Sequence, residues 1–216
     1  LIQNSQVKPD KYLKIIKAES DKLKNQIART LQISQMESGE NGPDFTKVHF
    51  CEFLEELTTR YKDRNPSAEI TLLLGTACNN DLVNIDEFHL ENVMLNLFDN
   101  ALKYNKSEKK KIEIRLTCSK KNISVFIQDN GIGIAEEELK HIFKKFYRVN
   151  TGDIHDQKGF GLGLFYVAEV LKAIQGTISV ESKSGIGSTF CITLPKSPWM
   201  IKNTRSCLQK MISIWV

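Results

Sequence analysis

Two glycine clusters flanking a polar loop do most to limit what this chain can become. The first is Asp129-Asn130-Gly131-Ile132-Gly133-Ile134, and the second is Lys158-Gly159-Phe160-Gly161-Leu162-Gly163-Leu164. Glycine reaches backbone conformations closed to other residues and lets a ligand approach the main chain. After Gly163, Leu164, Val167, Ala168 and Leu171 recur at three- and four-residue spacings, so a helix begins at the second cluster. A helix start behind a glycine-rich loop presents unpaired N–H groups and the positive end of a dipole, which suits a phosphate. Asp129 follows the alternating run Ile123-Ser124-Val125-Phe126-Ile127-Gln128 and is expected at a strand end. A carboxylate there only accepts hydrogen bonds, so it calls for a donor such as an exocyclic amine. One site could hold a base at Asp129 and phosphates near Gly161. Either cluster alone is as well explained by a turn; their order, behind a particular upstream helix, carries the argument.

That helix is expected over Phe88–Tyr104. Val93, Met94, Leu97, Ala101 and Leu102 make its apolar side, while Asn92, Asn96 and Asn100 recur every fourth residue and share a face. Asparagine is a poor helix former, and three of them cost up to about 2 kcal/mol against alanine. A merely solvated face would be better served by Glu or Lys, so the stripe is expected to face a ligand. Amide oxygens are hard, neutral donors that suit Mg²⁺, an ion that keeps waters and takes phosphate oxygens as well. Lys103 could reach a phosphate, and Tyr104 could lie against a flat ring.

Composition excludes little. With 216 residues, 41% hydrophobic and 26% charged, the chain has the make-up of an ordinary globular protein with room for one domain and an appendage. The net charge of +4 is mild and the lysines are scattered, which argues against nucleic acid. Cys51, Cys78, Cys118, Cys191 and Cys207 are odd in number and widely spaced, with no Cys-x-x-Cys. Free thiols in a reducing compartment are therefore expected, with no disulfide framework or zinc site. There is no signal peptide and no apolar run of transmembrane length.

Taken in order, residues Pro9 to Glu37 read as one helix of roughly 40 Å. Leu13, Ile16, Leu23, Ile27 and Leu31 form a narrow stripe on it that calls for a partner helix. A strand follows at Phe45–Phe50, a helix at Glu52–Arg64, and strands at Ile70–Leu74 and Leu82–Ile85. Beyond the Asn helix, Lys111–Cys118 and Ile123–Gln128 form a hairpin and Glu136–Lys144 a short helix. Asn150–Lys158 reads as a mobile lid, because it is polar and lacks apolar anchors. Thr177–Glu181 and Ser188–Leu194 form a second hairpin. The expected fold class is α+β: a two-layer α/β sandwich with a mixed, largely antiparallel sheet covered by helices on one face, preceded by a long helix. The expected divisions are 1–44, 45–196 and an apolar tail or linker, 197–216.

As a set these motifs resemble the ATP-binding domain of sensor histidine kinases, within the superfamily shared with gyrase, heat-shock chaperone and mismatch-repair ATPases. The resemblance runs from about Phe45 to Pro195. Asn96-Leu97-Phe98-Asp99-Asn100-Ala101-Leu102-Lys103-Tyr104 is similar to the family's Asn-rich box and Asp129-Asn130-Gly131-Ile132-Gly133 to its first glycine box. Phe143-Lys144-Lys145-Phe146-Tyr147-Arg148 is similar to its phenylalanine box, and Gly159-Phe160-Gly161-Leu162-Gly163-Leu164 to its second glycine box. Gly185-Ile186-Gly187-Ser188-Thr189-Phe190 resembles its closing hairpin, and the helix before Phe45 resembles the second helix of the dimerisation and phosphoacceptor hairpin.

The resemblance implies a Bergerat-type fold and a Mg-ATP-dependent protein-histidine kinase. It implies that Asp129 accepts from the adenine amino group with Thr189 assisting, and that Asn100 and Asn96 bind Mg²⁺. Lys103 and Arg148 would contact phosphates, with Asn96, Lys103 and Arg148 in catalytic roles. Tyr104, Gly131, Gly133, Ile134, Phe146, Lys158, Gly159, Gly161, Leu162, Gly163 and Leu164 would complete the nucleotide site. It also implies a response-regulator receiver domain as partner, a homodimer through the helical hairpin, and the cytoplasmic portion of a membrane-anchored bacterial sensor. The family's acceptor histidine stands early in the first hairpin helix. The histidines here are His49, His89, His141 and His155, none in the N-terminal helix. The acceptor is therefore expected on a segment outside this sequence, the alternative being a degenerate nucleotide-binding or dimerisation module. An ATP-hydrolysing relative is the other alternative, but such enzymes carry Glu where this chain has Asn96, because water needs a general base. A neutral imidazole is already nucleophilic near pH 7 and needs none.

Overall fold

The computed structural model describes residues 45–75, 82–149 and 160–196, together with Tyr12, Leu13, Lys17 and Ser20. Those four are helical and exposed; the rest of the helix expected over 9–37, the 150–158 loop and the 197–216 tail lie outside the described residues. The elements below all belong to the compact unit Pro43–Lys202. In chain order they are β1 (Thr46–His49), α1 (Phe50–Arg64), β2 (Glu69–Leu74), β3 (Leu82–Ile85), α2 (Glu87–Lys103), β4 (Lys111–Cys118), β5 (Asn122–Asp129), α3 (Glu136–Leu139), α4 (Gly163–Ala173), β6 (Thr177–Lys183) and β7 (Gly187–Pro195).

The main sheet has five strands in the order β2-β4-β5-β7-β6, and β1 pairs with β3 in a small antiparallel sheet. β2 and β4 are parallel, and every other neighbour in the main sheet is antiparallel. A parallel pair needs a long crossover; here β3 and α2 supply it. The antiparallel part is built from the two hairpins expected from alternation. Ile112, Ile114 and Leu116 of β4, Ile123, Val125 and Ile127 of β5, and Phe190, Ile192 and Leu194 of β7 all point to one buried face. Against it pack Phe53, Leu54 and Leu57 of α1, Val93, Met94, Leu97 and Phe98 of α2, and Val167, Val170 and Leu171 of α4. Burying each of these large side chains is worth about 1.5–3 kcal/mol, so this single layer of helices on the sheet dominates stability. The other face of β4 carries Glu113, Arg115 and Thr117, in keeping with a two-layer α+β sandwich.

Local chemistry sets the element ends. Asp86 caps α2 by accepting from His89 N at 2.9 Å, in extended backbone, while Glu87 in the first turn and Lys103 in the last complement the helix dipole. α2 is braced to α1 by Tyr61, whose hydroxyl donates to Asp99 at 3.0 Å and whose ring lies 5.2 Å from Phe98. Burial and the Asp99 carboxylate both push the Tyr61 phenol upward.

Two expectations are corrected. The helix expected over Glu136–Lys144 stops at Leu139 and continues as turns. The chain must bend there to bring Phe146, at φ 65°, onto Gly161, whose carbonyl accepts from Phe146 N at 3.1 Å. The cysteines are not all free. Cys118 is disulfide-bonded, whereas Cys51 and Cys191 carry no disulfide. Spacing along the chain could not show this, because a disulfide is set by proximity in the fold and not by the interval in sequence.

Candidate functional site

The C-terminal halves of α2 and β5, the loop after β5, the β6–β7 hairpin and the start of α4 converge on one region. Asp129 ends β5 on the helix-covered side, two residues beyond buried Ile127. Its Oδ1 accepts from Gly131 N at 2.8 Å, and Ser188 N–H also donates to the carboxylate. Burial holds its pKa above the ordinary carboxylate value, with the two N–H donors pulling the other way. A half-buried acceptor held by two backbone donors is suited to receive a neutral amine.

The loop that follows is fastened on several sides. Ile132 N donates to the Tyr104 carbonyl at 2.9 Å, Gly185 N to the Ile132 carbonyl at 2.8 Å, and Ile134 N to Ser182 Oγ at 2.8 Å. Gly131 and Gly133 are explained by this packing. A Cβ on Gly131 would come within 2.6 Å of Tyr104 O, and one on Gly133, at φ 66°, within 2.1 Å of Lys183 O. On the other flank Asn130 Oδ1 accepts from Asn105 Nδ2 and Lys111 N, both at 2.7 Å, and Asn105 is almost fully buried.

The asparagine stripe divides by depth. Asn92 and Asn100 are half-buried and Asn96 is buried. Asn92 Nδ2 donates to Phe88 O at 2.9 Å and Asn96 Nδ2 to Asn92 O at 2.7 Å. With its NH₂ committed along the helix, Asn96 turns Oδ1 towards the start of α4, where a Cβ on Gly163 would lie 2.9 Å away. Glycine there lets an amide oxygen reach the first turn of a helix, where N–H groups lack intrahelical partners. The arrangement joins a hard oxygen donor to an anion-binding helix end, the pairing that a metal-bound phosphate requires. Among the described residues no group of His, Cys, Asp or Glu forms a metal cluster, and the donors that fit Mg²⁺ are the amide oxygens of Asn96 and Asn100.

The remaining expected residues fall as follows. Leu162 precedes α4 and Leu164 lies half-buried in its first turn. Gly161, at φ 70°, lets Tyr147 O approach to 2.5 Å of where a Cβ would stand. Phe146 is exposed, with Lys145 Nζ 5.9 Å from its ring, and Arg148 is exposed nearby in sequence. Lys103 Nζ lies 3.1 Å from Tyr104 Oη and 4.7 Å from that ring's centre, so the two form one unit at the Asp129 end of α2, seven residues beyond Asn96. Lys158 and Gly159 lie outside the described residues. Thr189 is on the wrong face to sit beside Asp129: it pairs with Gln128 and Glu181 on the side of the sheet away from the helices. Its neighbour Ser188 is buried on Asp129's side, 2.9 Å from Ser182 Oγ. Alternation from buried Phe190 was the signal for Ser188. Asn105 and Ser182 had no such signal, since loop contacts follow no period.

A half-buried carboxylate at a strand end, an asparagine wall and a glycine-led helix define a nucleotide-binding α/β sandwich. The family of histidine kinase-, DNA gyrase B- and HSP90-like ATPases matches residues 85–198, more than half of the chain. The chain belongs to that family. It is 37% identical over 184 residues to the sensor protein RprX of Bacteroides fragilis, covering 84% of this chain and 35% of that protein. It is 28% identical over 186 residues to the sensor protein SrrB of Staphylococcus aureus, covering 85% of this chain and 31% of that one. The chain thus spans about a third of the length of the curated relatives it matches. In fold it is similar to full-length ShkA in complex with AMPPNP, with a TM-score of 0.74 at 20% identity, covering 88% of this chain and 39% of that one. It is also similar to the histidine kinase AdeS of Acinetobacter baumannii, with a TM-score of 0.67 at 24% identity, covering 86% and 84%. No helix among the described residues is long and apolar enough to cross a membrane.

Proposed function

We propose that this chain is the catalytic part of a sensor histidine kinase, which binds Mg-ATP and passes the γ-phosphoryl group to a histidine on a segment outside this sequence, for relay to an aspartate of a response-regulator receiver domain. The observation that carries the reading is Asn96 Oδ1 set against Gly163 at the start of α4, in the same site as the half-buried Asp129.

In this reading Asp129 accepts the adenine amino proton, and Ser188 and Gly131 hold the carboxylate in place through their N–H groups. Tyr104 flanks the base. The first-turn N–H groups of α4 bind phosphate oxygens, and Lys103 and Arg148 add positive charge. Asn96 and Asn100 would hold Mg²⁺ through their amide oxygens, and the ion supplies charge neutralisation to the phosphates. Phosphoryl transfer is mostly positioning and electrostatic stabilisation, which suits a wall without a general base. Asn96 cannot take a proton from water, so transfer to an imidazole is favoured over hydrolysis. The parent is read as a membrane-anchored bacterial sensor that dimerises through the helical hairpin to which residues 9–37 contribute.

The test is incubation with γ-labelled ATP and Mg²⁺. The chain alone should take up no label, because transfer needs an acceptor nitrogen within roughly 3–3.5 Å of the reacting phosphorus. Joined to an upstream hairpin helix bearing a histidine, it should form an acid-labile, base-stable phosphoramidate. Strong labelling of the chain alone, or none with the helix restored, contradicts the proposal.

A further inference from the structure

The nucleotide reading uses α2 from Asn96 onward and α4 only at its start. One polar contact between these helices lies outside that use. Tyr166 is almost fully buried, and its hydroxyl is 2.9 Å from His89 Nδ1. His89 Nε2 lies 3.8 Å from Asp86 Oδ2, and Asp86, itself buried, caps α2 by accepting from His89 N at 2.9 Å. Nδ1 and the Tyr166 hydroxyl share one hydrogen bond, its donor set by the ring's tautomer. The ring is held further by Phe88, whose own ring meets it edge-on at 5.5 Å.

The spacing gives this contact meaning. His89 and Asn96 are seven residues apart on α2, about two turns, and share a face. Gly163 and Tyr166 are three apart on α4, about one turn. Asn96 meets Gly163 and His89 meets Tyr166, so the helices run antiparallel and touch at two points. Val167, Val170 and Leu171 supply the apolar packing of α4. Apolar packing is strong but non-directional, and by itself leaves a helix able to slide and turn. A hydrogen bond from a buried hydroxyl to a part-buried ring fixes one register.

We propose that His89 and Tyr166 are positioning residues for phosphoryl transfer, a directional clamp oriented by Asp86 that sets the phosphate-binding start of α4 at a fixed distance from the Asn96–Asn100 wall. This rests on the nucleotide reading and goes beyond it, because neither residue touches the nucleotide. The clamp acts on one end only. The start of α4 depends on it, whereas Asp129 is held by β5, Gly131 and Ser188, and does not. Displacements of about 1 Å at the reacting end of a site are costly, so the clamp's loss should be felt by phosphates and not by the base.

The test measures ATP with Mg²⁺, and adenosine by competition against a fluorescent nucleotide, on the whole chain. Tyr166→Phe keeps the ring and removes only the hydroxyl. It should weaken ATP by about tenfold, the worth of one buried directional hydrogen bond, and adenosine by less than about twofold. His89→Ala should lower the ATP-to-adenosine ratio similarly, and the double variant should be no worse than either single change, since both remove one interaction. Equal losses for ATP and adenosine, an unchanged ratio in both variants, or additive effects would overturn the inference while leaving the nucleotide site intact. A wild-type chain that binds neither ligand would overturn the functional reading, and the clamp with it.

Discussion

The loop after β5 is held from three sides: by the carbonyl of Tyr104, which caps α2, by the β6–β7 hairpin, and by buried Asn105 bonded to Asn130. The start of α4 is held along α2, through Asn96 and His89, and through the Phe146 backbone at Gly161. Both regions are rich in glycine, but for different reasons. At Gly133 a Cβ would run into backbone, which cannot move aside, while at Gly163 it would meet the end of a side chain. Gly133 therefore builds the fold, as does Gly161 with its left-handed φ of 70° against the Tyr147 carbonyl, while Gly163 leaves room for a functional group. A binding role for each glycine in the first cluster does not follow from its being glycine.

The largest effect that separates the two regions is on stability. Gly133→Ala should cost about 3–4 kcal/mol, combining a left-handed backbone with an overpacked contact. Urea unfolding would measure it, and a loss under about 1 kcal/mol would remove the contrast.

Next comes Asp129→Asn, which should weaken ATP by roughly 10- to 100-fold, the worth of a hydrogen bond to a charged group. Its stability effect should run the other way. The folded carboxylate has a raised pKa, so its stabilising contribution is full below the unfolded value and is lost as pH rises through the folded one. At neutral pH the charged form is buried at a cost that asparagine avoids, so the variant should melt no lower than wild type there. The difference should shift in wild type's favour as pH falls through the carboxylate range. Paired thermal scans across pH would check the sign.

Asn105→Ala should cost about 1–3 kcal/mol by removing its bonds to Asn130 Oδ1 and Ser107 N and emptying a buried position. It should weaken adenosine as well as ATP, because it loosens the base end. Gly163→Ala should be the mildest for folding, within about 1 kcal/mol of wild type, since alanine is the better helix residue and offsets the contact with Asn96. It should nonetheless reduce the Mg²⁺ dependence of ATP binding by displacing Asn96. Titration at varied Mg²⁺ is the check, and unchanged dependence would argue that the Asn96–Gly163 contact is only packing.

Much of this was legible in the sequence because it is periodic. Alternation in Ile123–Gln128 and Ser188–Leu194 gave the inward face of the sheet, and the fourfold spacing of Asn92, Asn96 and Asn100 gave the wall. What escaped was non-periodic or long-range. His89 and Tyr166 are seventy-seven positions apart, and nothing in either local pattern points to the other. Thr189 is implied by the family motif alone, whereas alternation from Phe190 places Ser188 inward. The end of α3 at Leu139 depends on Phe146 meeting Gly161, a contact fixed by tertiary packing that local helix propensity does not register.

The central claim is that Asp129, preset by Gly131 and Ser188, recognises an exocyclic amine while α4 receives phosphates. Calorimetric titration with ATP and with ITP, both with Mg²⁺, tests it most directly. The two share their phosphates, and ITP replaces the amino group with a carbonyl that would face the carboxylate. The account predicts that ATP binds at least about a hundredfold more tightly, since a site built to pair with a donor at position 6 sets its carboxylate against a carbonyl oxygen in ITP. Equal affinity for the two nucleotides would contradict it.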